Sequence, residues 1–157
     1  MSDNDMYITW QDIHFDGIAL AKMVQQKGWL DNCEGVIAVT RGGLIPTGVF
    51  CNATGIKNVE SICVSSYSFK NNRDLEIIKS IDLENGGEGW IIIDDLVDTG
   101  NTYAFLKTLL PKAKRVCLYA KPEGLKDTDL FIKKIDQDVW VHFPWEVDSD
   151  GVPFEKE

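Results

Sequence analysis

The sequence predicts an α/β fold in which helices flank a mostly parallel sheet. Its main apolar runs are continuous rather than alternating, a pattern typical of strands buried on both faces of a parallel sheet. Segments with helical spacing of apolar residues lie between these runs, and such alternation favours right-handed βαβ units. The chain has 157 residues without an internal repeat or a linker-like tract, so we expect residues 1–157 to form a single domain.

Each element follows from a local pattern. Strands are expected at residues 36–39, 62–64, 90–93 and 116–120, with a weaker candidate at residues 7–9. Helices are expected at residues 15–26, 43–53 and 102–110. Gly28 and Gly55 follow the first two helices, where glycine commonly ends a helix. Phe105 and Leu109 share an apolar face of the third helix, and Pro111 ends it.

Two segments do not follow this alternation of strands and helices. Residues 66–89 are long, polar and charged, and they predict a flexible lid or a hairpin. Residues 122–157 consist of short mixed pieces rich in aromatic side chains, and we interpret them as a small C-terminal hood over a core of residues 1–121.

Composition limits the partners and the compartment. A net charge of -9 argues against nucleic acid as the main partner, and the apolar runs are too short for an integral membrane segment. The cysteines form no CxxC pair, which favours reduced thiols in a cytosolic protein. If such an acidic chain binds polyphosphate, a few Lys and Arg residues or a metal ion must supply positive charge locally.

The segment from Trp90 to Thr102, Trp-Ile-Ile-Ile-Asp-Asp-Leu-Val-Asp-Thr-Gly-Asn-Thr, carries the strongest chemical signal. A buried strand ends in two carboxylates, turns at Gly100 and enters a helix, at the sheet edge where α/β proteins bind ligands. A phosphate at residues 98–102 would meet free N–H groups of the helix N-terminus. Asp94 and Asp95 suit ribose hydroxyls and Mg2+. An isolated Asp-Asp pair is more often a solvated turn, but the phosphate-loop pattern beside it favours a site.

Residues 93–102 resemble the motif with which type I phosphoribosyltransferases bind the activated ribose phosphate PRPP. More narrowly, the chain resembles the bacterial xanthine-guanine phosphoribosyltransferases. Further similar blocks follow in the same order, at residues 37–46, 65–67, 120–122, 137–140 and 144–145. Asn101 departs from the pattern, because a small residue often stands there, and the tail after Trp145 also differs.

The resemblance implies transfer of a phosphoribosyl group from PRPP to N9 of a 6-oxopurine. Guanine, xanthine and hypoxanthine would give GMP, XMP and IMP with pyrophosphate, in purine salvage. It also implies Mg2+ as cofactor, a homotetramer and a cytoplasmic location, and it leaves open peripheral association with the inner face of the membrane.

The resemblance also implies roles for individual residues. Asp98 would be the catalytic acid/base at N7 of the purine, although a plain helix N-cap is the alternative. Asp95 would face Mg2+ through water. The purine would contact Asp98, Lys121, Trp140 and Val141, with the Lys121 ammonium selecting a 6-oxo group over a 6-amino group. PRPP and its phosphates would contact Arg41, Gly42, Arg73, Asp94, Asp95, Asp98, Thr99, Gly100, Asn101 and Thr102.

The loop at residues 40–43 and the segment at residues 66–89 support less specific predictions. The resemblance makes the Arg41–Gly42 peptide a candidate for a cis bond, whereas a plain tight turn is the alternative. Arg73 is a candidate for closing over PRPP, and Lys70 and Lys79 are expected to face solvent.

Two other functions remain open. One is a regulator of the same fold that binds RNA, which the net charge of -9 disfavours. The other is an enzyme of the same fold that acts on adenine or a pyrimidine, which Lys121 and Trp140 disfavour.

Overall fold

The computed structural model describes residues 4–69 and 72–154, with side chains for residues 4–65 and 75–154. In chain order the strands are β1 (Asp5–Tyr7), β2 (Gly35–Val39), β3 (Val59–Phe69), β4 (Asn72–Lys79), β5 (Trp90–Val97), β6 (Lys114–Ala120), β7 (Leu130–Lys134) and β8 (Trp140–His142). The α-helices are α1 (Trp10–Gln26), α2 (Leu44–Thr54) and α3 (Asn101–Leu109), and 3-10 segments span Glu84–Gly87 and Pro122–Asp127.

A six-stranded sheet with the order β4-β3-β2-β5-β6-β7 forms the centre of the fold. All neighbouring strands are parallel except β3 and β4, which form an antiparallel hairpin. The predicted α/β fold with a mostly parallel sheet is therefore confirmed. The hairpin includes part of the segment for which a lid or a hairpin was expected.

The helices cover both faces of the sheet because successive apolar side chains of each strand point to opposite sides. Ile91 and Ile93 pack in the core cluster with α1 and α2, whereas Ile92 packs in the cluster with α3. All three isoleucines are almost fully buried. Strands covered on both faces explain why their sequences are continuously apolar.

The first helix begins at Trp10, earlier than the predicted Phe15. Thr9 Oγ1 accepts a hydrogen bond from the Asp12 N–H at 3.0 Å, and Asp12 Oδ2 accepts one from the Thr9 N–H at 2.9 Å. This reciprocal capping box satisfies two of the N–H groups that a helix start leaves unpaired.

The chain after Lys121 divides between two sheets. Leu130–Lys134 extends the main sheet as its edge strand, β7, while Trp140–His142 pairs in parallel with Asp5–Tyr7 near the chain start. All four cysteines are free thiols. Within residues 4–69 and 72–154, no helix combines the length and the apolar character needed to cross a membrane.

Candidate active site

Three loops meet at the carboxyl edge of the main sheet. The strands β2, β5 and β6 are parallel neighbours, so the residues that follow them lie on one edge of the sheet. Arg41 lies after β2, Asp98 after β5 and Lys121 after β6. Arg41, Asp98 and Lys121, predicted for phosphate binding, catalysis and purine binding, are thus brought to the same edge.

Asp94 and Asp95 lie partly buried in the last part of β5. The Asp95 N–H donates to Asp94 Oδ1 at 2.9 Å, and the Leu96 N–H donates to Asp95 Oδ1 at 2.6 Å. Burial, and then repulsion from Asp95, raise the pKa of Asp94 well above its ordinary value. Burial also raises the pKa of Asp95, and the Glu146 carboxylate contributes to this rise. A cation or hydroxyl donors would stabilise the ionised pair.

The donors at this pair fit a hydrated Mg2+. Among the described residues, no group of three or more His, Cys, Asp or Glu side chains can hold a metal ion. Mg2+ commonly keeps several waters and takes its other ligands from one or two carboxylates and from substrate phosphates. Asp94 and Asp95 provide carboxylates suited to that mode of binding.

The loop after β2 lies directly against Asp95. A Cβ at Gly42 would come within 2.4 Å of Asp95 Oδ2, and a Cβ at Gly43 would come within 2.4 Å of the Ile93 carbonyl oxygen. Side chains at these positions would collide with β5, so the two glycines permit a close approach between the loop and the acidic pair.

A non-proline cis peptide is present in this loop, but it joins Thr40 to Arg41. The prediction of a cis bond between Arg41 and Gly42 is therefore wrong. Sequence does not distinguish adjacent non-proline peptides, since tertiary contacts decide which one is cis. Thr40 is held to β3 through its N–H, which donates to the Ile62 carbonyl oxygen at 2.9 Å.

The basic residues of this region differ in position. Arg41 is exposed, and no carboxylate within the described part of the chain pairs with it. Lys79 Nζ donates to the Ser61 carbonyl oxygen at 2.7 Å, so this side chain links the end of β4 to β3. The Arg73 side chain and Lys70 lie outside the described residues, and the predictions for them stay predictions.

The segment after β5 forms the expected turn into α3. Gly100 is the N-cap of α3, with φ of 84° and no side chain capping the helix, which leaves N–H groups at the helix start for an anion. Asp98 is thus not the N-cap. The Asn101 N–H donates to Thr99 Oγ1 at 3.4 Å, and the Asn101 side chain is exposed. Thr102 lies in the first turn of α3.

Asp98 and Lys121 form an ion pair beside this turn. Lys121 Nζ lies 3.1 Å from Asp98 Oδ2, and the Lys121 side chain is only 5% exposed whereas that of Asp98 is 52% exposed. A buried ammonium requires partners, and Lys121 also donates to the Gln137 carbonyl oxygen at 3.4 Å. The Gln137 side chain donates to Asp98 Oδ1 at 2.7 Å. A proton acceptor and a cationic donor are therefore adjacent.

Trp140 and Val141, both predicted to contact a purine, begin β8. The Trp140 side chain is 66% exposed, whereas Val141 is buried and lies opposite Met6 of β1. The Trp140 N–H donates to the Asn4 carbonyl oxygen at 2.9 Å, which fixes the start of the strand. An exposed indole on a fixed strand offers an apolar face for stacking.

Sequence reasoning missed two residues of this site. Gln137 belongs to a block that resembles the family, but nothing in the pattern indicates that its amide contacts Asp98. Glu146 affects the pKa of Asp95 across the site. Both lie in the tail, where no periodic pattern marks a position, so only the folded arrangement of the tail identifies them.

Comparison with known proteins identifies the family of this chain. Residues 5–151 match the family described as the phosphoribosyl transferase domain. The xanthine-guanine phosphoribosyltransferase of Idiomarina loihiensis is 39% identical over 147 residues, covering 93% of this chain and 89% of the relative. That of Desulfotalea psychrophila is 41% identical over 143 residues, covering 90% and 86%.

Solved structures share the fold. The purine phosphoribosyltransferase of Pyrococcus horikoshii has a TM-score of 0.76 at 24% identity, covering 98% of this chain and 99% of that one. The xanthine-guanine-hypoxanthine phosphoribosyltransferase of Helicobacter pylori has a TM-score of 0.75 at 24% identity, covering 93% and 96%. At these identities the likeness concerns the fold, whereas the sequence relatives and the family match together decide the assignment. The chain belongs to the phosphoribosyltransferase family.

Proposed function

We propose that this protein transfers the 5-phosphoribosyl group of PRPP to N9 of guanine, xanthine or hypoxanthine, giving GMP, XMP or IMP and pyrophosphate in purine salvage. The observation that carries the proposal is the Asp98–Lys121 pair, with its charged atoms 3.1 Å apart beside the start of α3. A 6-oxopurine presents N7 and O6 side by side. A carboxylate can take a proton at N7 while an ammonium donates to O6, whereas the 6-amino group of adenine would oppose the ammonium.

The loops after β2 and β5 provide the proposed contacts to the phosphates of PRPP. The 5′-phosphate meets the N–H groups at the start of α3 and the hydroxyls of Thr99 and Thr102. The exposed Arg41 guanidinium, together with the Gly42 backbone and Arg73, binds the pyrophosphate. Asp94 and Asp95 accept hydrogen bonds from the ribose hydroxyls. Arg41 and Arg73 would supply positive charge locally within a chain of net charge -9.

Mg2+ is the proposed cofactor. Asp95, with Asp94 beside it, would hold the ion, with water and PRPP oxygens as the remaining ligands. When bound, Mg2+ supplies neutralising charge to the pyrophosphate leaving group. Burial and neighbouring carboxylates raise the pKa of both aspartates, and a bound cation would lower both values because it favours the ionised forms.

The proposed reaction needs one proton acceptor from the protein. As purine N9 forms a bond to C1 of the ribose, the bond from C1 to the pyrophosphate oxygen breaks, and Asp98 accepts the proton from N7. Lys121 donates a hydrogen bond to the O6 carbonyl oxygen, which accepts it throughout the transfer. Trp140 stacks on the purine ring, and the backbone of Val141 contacts its 2-position.

Assembly and location are part of the proposal. We place the protein in the cytoplasm, since its four free thiols suit a reducing compartment, and peripheral contact with the inner membrane face stays a prediction. Resemblance to the family favours a homotetramer. An exposed apolar surface between α1 and α2 supports self-association, with Ile18, Ile45 and Val49 lining a cavity of about 730 Å³ there.

The test is a spectrophotometric assay with PRPP and Mg2+ on guanine, xanthine, hypoxanthine, adenine and uracil. We expect metal-dependent turnover of guanine and xanthine and none of adenine. Lys121→Met keeps a long apolar side chain but removes the ammonium, and it should lower kcat/KM for guanine by about tenfold to a hundredfold. The matched control, Lys126→Met, replaces an exposed lysine of the 3-10 segment at Pro122–Asp127.

Comparable turnover of adenine and guanine would overturn the specificity assigned to Lys121. No turnover of any base by a folded protein that binds PRPP would overturn the enzymatic function and favour the regulator hypothesis.

A further inference from the structure

Gln137 joins both members of the Asp98–Lys121 pair to the tail of the chain. It lies in the segment between β7 and β8 and makes three hydrogen bonds. Its Nε2 donates to Asp98 Oδ1 at 2.7 Å, its Oε1 accepts from the Glu123 N–H at 3.0 Å, and its carbonyl oxygen accepts from Lys121 Nζ at 3.4 Å.

The chemistry of the partners fixes the orientation of the Gln137 amide. A carboxylate can only accept, so it requires the NH2 group, while the Glu123 N–H can only donate and requires the amide oxygen. Reversing the amide would place oxygen against oxygen at Asp98 and donor against donor at Glu123. Because Glu123 belongs to the 3-10 segment that follows β6, the amide is held by a backbone group from a different segment of the chain than Asp98.

The two oxygens of Asp98 have different partners. Oδ1 accepts from Gln137, and Oδ2 accepts from Lys121. The Asp98 side chain is 52% exposed, so packing alone does not hold its rotamer. If the Lys121 ammonium donates to O6 of a bound purine, Asp98 Oδ2 loses its partner. Asp98 Oδ1 would stay hydrogen-bonded to the neutral Gln137 amide.

We propose that Gln137 is a positioning residue that anchors Asp98 through Oδ1 and leaves Oδ2 as the oxygen that receives the N7 proton. This inference rests on the proposed function of Asp98. The amide does not itself touch the reacting atoms. It keeps the carboxylate oriented for proton transfer while the Lys121 ammonium leaves Asp98 and donates to the purine O6 instead.

The experiment compares Gln137→Leu, Gln137→Glu and a matched control, Asp136→Asn, in the full-length protein. Asp136 is the preceding residue and is exposed. Single-turnover rates with guanine, measured by rapid quench, report the transfer step separately from product release. PRPP affinity by calorimetry and thermal unfolding provide the readouts for a merely structural effect.

Gln137→Leu should slow single turnover about tenfold to a hundredfold while PRPP affinity stays within about twofold. Gln137→Glu should slow it at least as much, because its carboxylate repels Asp98. Asp136→Asn should keep the wild-type rate. Combining Gln137→Leu with Asp98→Asn should add no further loss, since the amide acts through the Asp98 carboxylate.

A wild-type single-turnover rate in Gln137→Leu would overturn the inference while leaving the role of Asp98 intact. An equal loss in the Asp98→Asn background would overturn it too, because the amide would then act independently of Asp98. Full turnover by Asp98→Asn alone is a separate outcome, which refutes the proposed base and the inference that rests on it.

Discussion

The Asp94–Asp95 pair opposes folding of the ligand-free chain. Burial and mutual repulsion raise the pKa of Asp94 above the ordinary value of 3.8, and burial raises the pKa of Asp95. Between 3.8 and the raised folded-state pKa values, the folded chain binds more protons than the unfolded chain. The free energy of unfolding therefore decreases as pH rises through this window, and the loss persists at neutral pH.

Replacing Asp94 with Asn should stabilise the ligand-free protein and weaken its binding of PRPP. We expect Asp94→Asn to raise the melting temperature of the ligand-free protein at neutral pH and to reduce its dependence on pH above 3.8. PRPP affinity should fall about tenfold or more, because a hydrogen-bonding carboxylate is lost. Calorimetric melting across pH and PRPP titration check both parts.

The exposed Asp31 provides the matched control, because Asp31→Asn makes the same chemical change away from the site. It should alter neither the melting temperature nor PRPP affinity. A lower melting temperature for Asp94→Asn at neutral pH would contradict the idea that this pair opposes folding.

At the scale of single residues, prediction succeeds where a side chain follows a recognisable strand. Asp94, Asp98 and Lys121 come at or just after apolar runs, so their shared sheet edge could be predicted. Gln137 and Glu146 could not be found in this way, since the hydrogen bond of Gln137 and the electrostatic effect of Glu146 depend on how the tail folds back. The roles of all these residues stay predictions until they are measured.

The turn after β2 and the acidic end of β5 are in direct contact. Gly42 meets the flexible end of the Asp95 side chain, whereas Gly43 meets the backbone of β5 at Ile93. A methyl group at Gly42 can be accommodated if the Asp95 carboxylate moves, while one at Gly43 would require the backbone to move. A substitution at Gly42 therefore tests the role of Asp95 in ligand binding, whereas one at Gly43 would mainly disturb the packing of the loop on β5.

Gly42→Ala should weaken PRPP binding by displacing the Asp95 carboxylate. We expect PRPP affinity to fall about tenfold while guanine binding is retained. Gly48→Ala is the matched control, since a Cβ there meets nothing within 4 Å. Because Gly48 lies inside α2, alanine should raise the free energy of unfolding by about 0.5–1 kcal/mol without affecting PRPP. Wild-type PRPP affinity in Gly42→Ala would show that the close approach does not matter for binding.

The positions of most helices and strands could be predicted, but several of their ends could not. The strand predicted at residues 90–93 continues to Val97, because its later residues still pair with β6 after two aspartates interrupt the apolar run. The strand predicted at residues 62–64 spans Val59–Phe69, since its later part pairs within a hairpin instead of entering the core. Apolar runs mark only the buried part of each strand.

For the whole molecule, the fold class could be predicted and the strand order could not. Alternating strands and helices predict a parallel sheet, but β5 lies between β2 and β6, and β7 from the tail becomes an edge strand. Pairing of β1 with β8 joins segments near the two ends of the described chain. These choices depend on contacts distant in sequence, which local patterns do not specify.

The groove between α1 and α2 is a candidate surface for contact with another copy of the chain. Phe15 of α1 is 59% exposed, and Leu44 and Ile45 at the start of α2 are 50% and 36% exposed. Ile45 also lines the cavity of about 730 Å³ between the helices. Exposed apolar surface beside such a groove is typical of interaction surfaces.

Ile45→Glu should reduce the oligomer, because association would bury its carboxylate in an apolar contact. We expect light scattering coupled to size-exclusion chromatography to give a tetramer for the wild-type protein and a smaller species for this variant. Val152→Glu is the matched control, since Val152 is 55% exposed and lies in the tail outside this surface. A wild-type protein that is monomeric at all concentrations would refute the homotetramer. A tetramer unaffected by Ile45→Glu would place its interfaces elsewhere on the molecule.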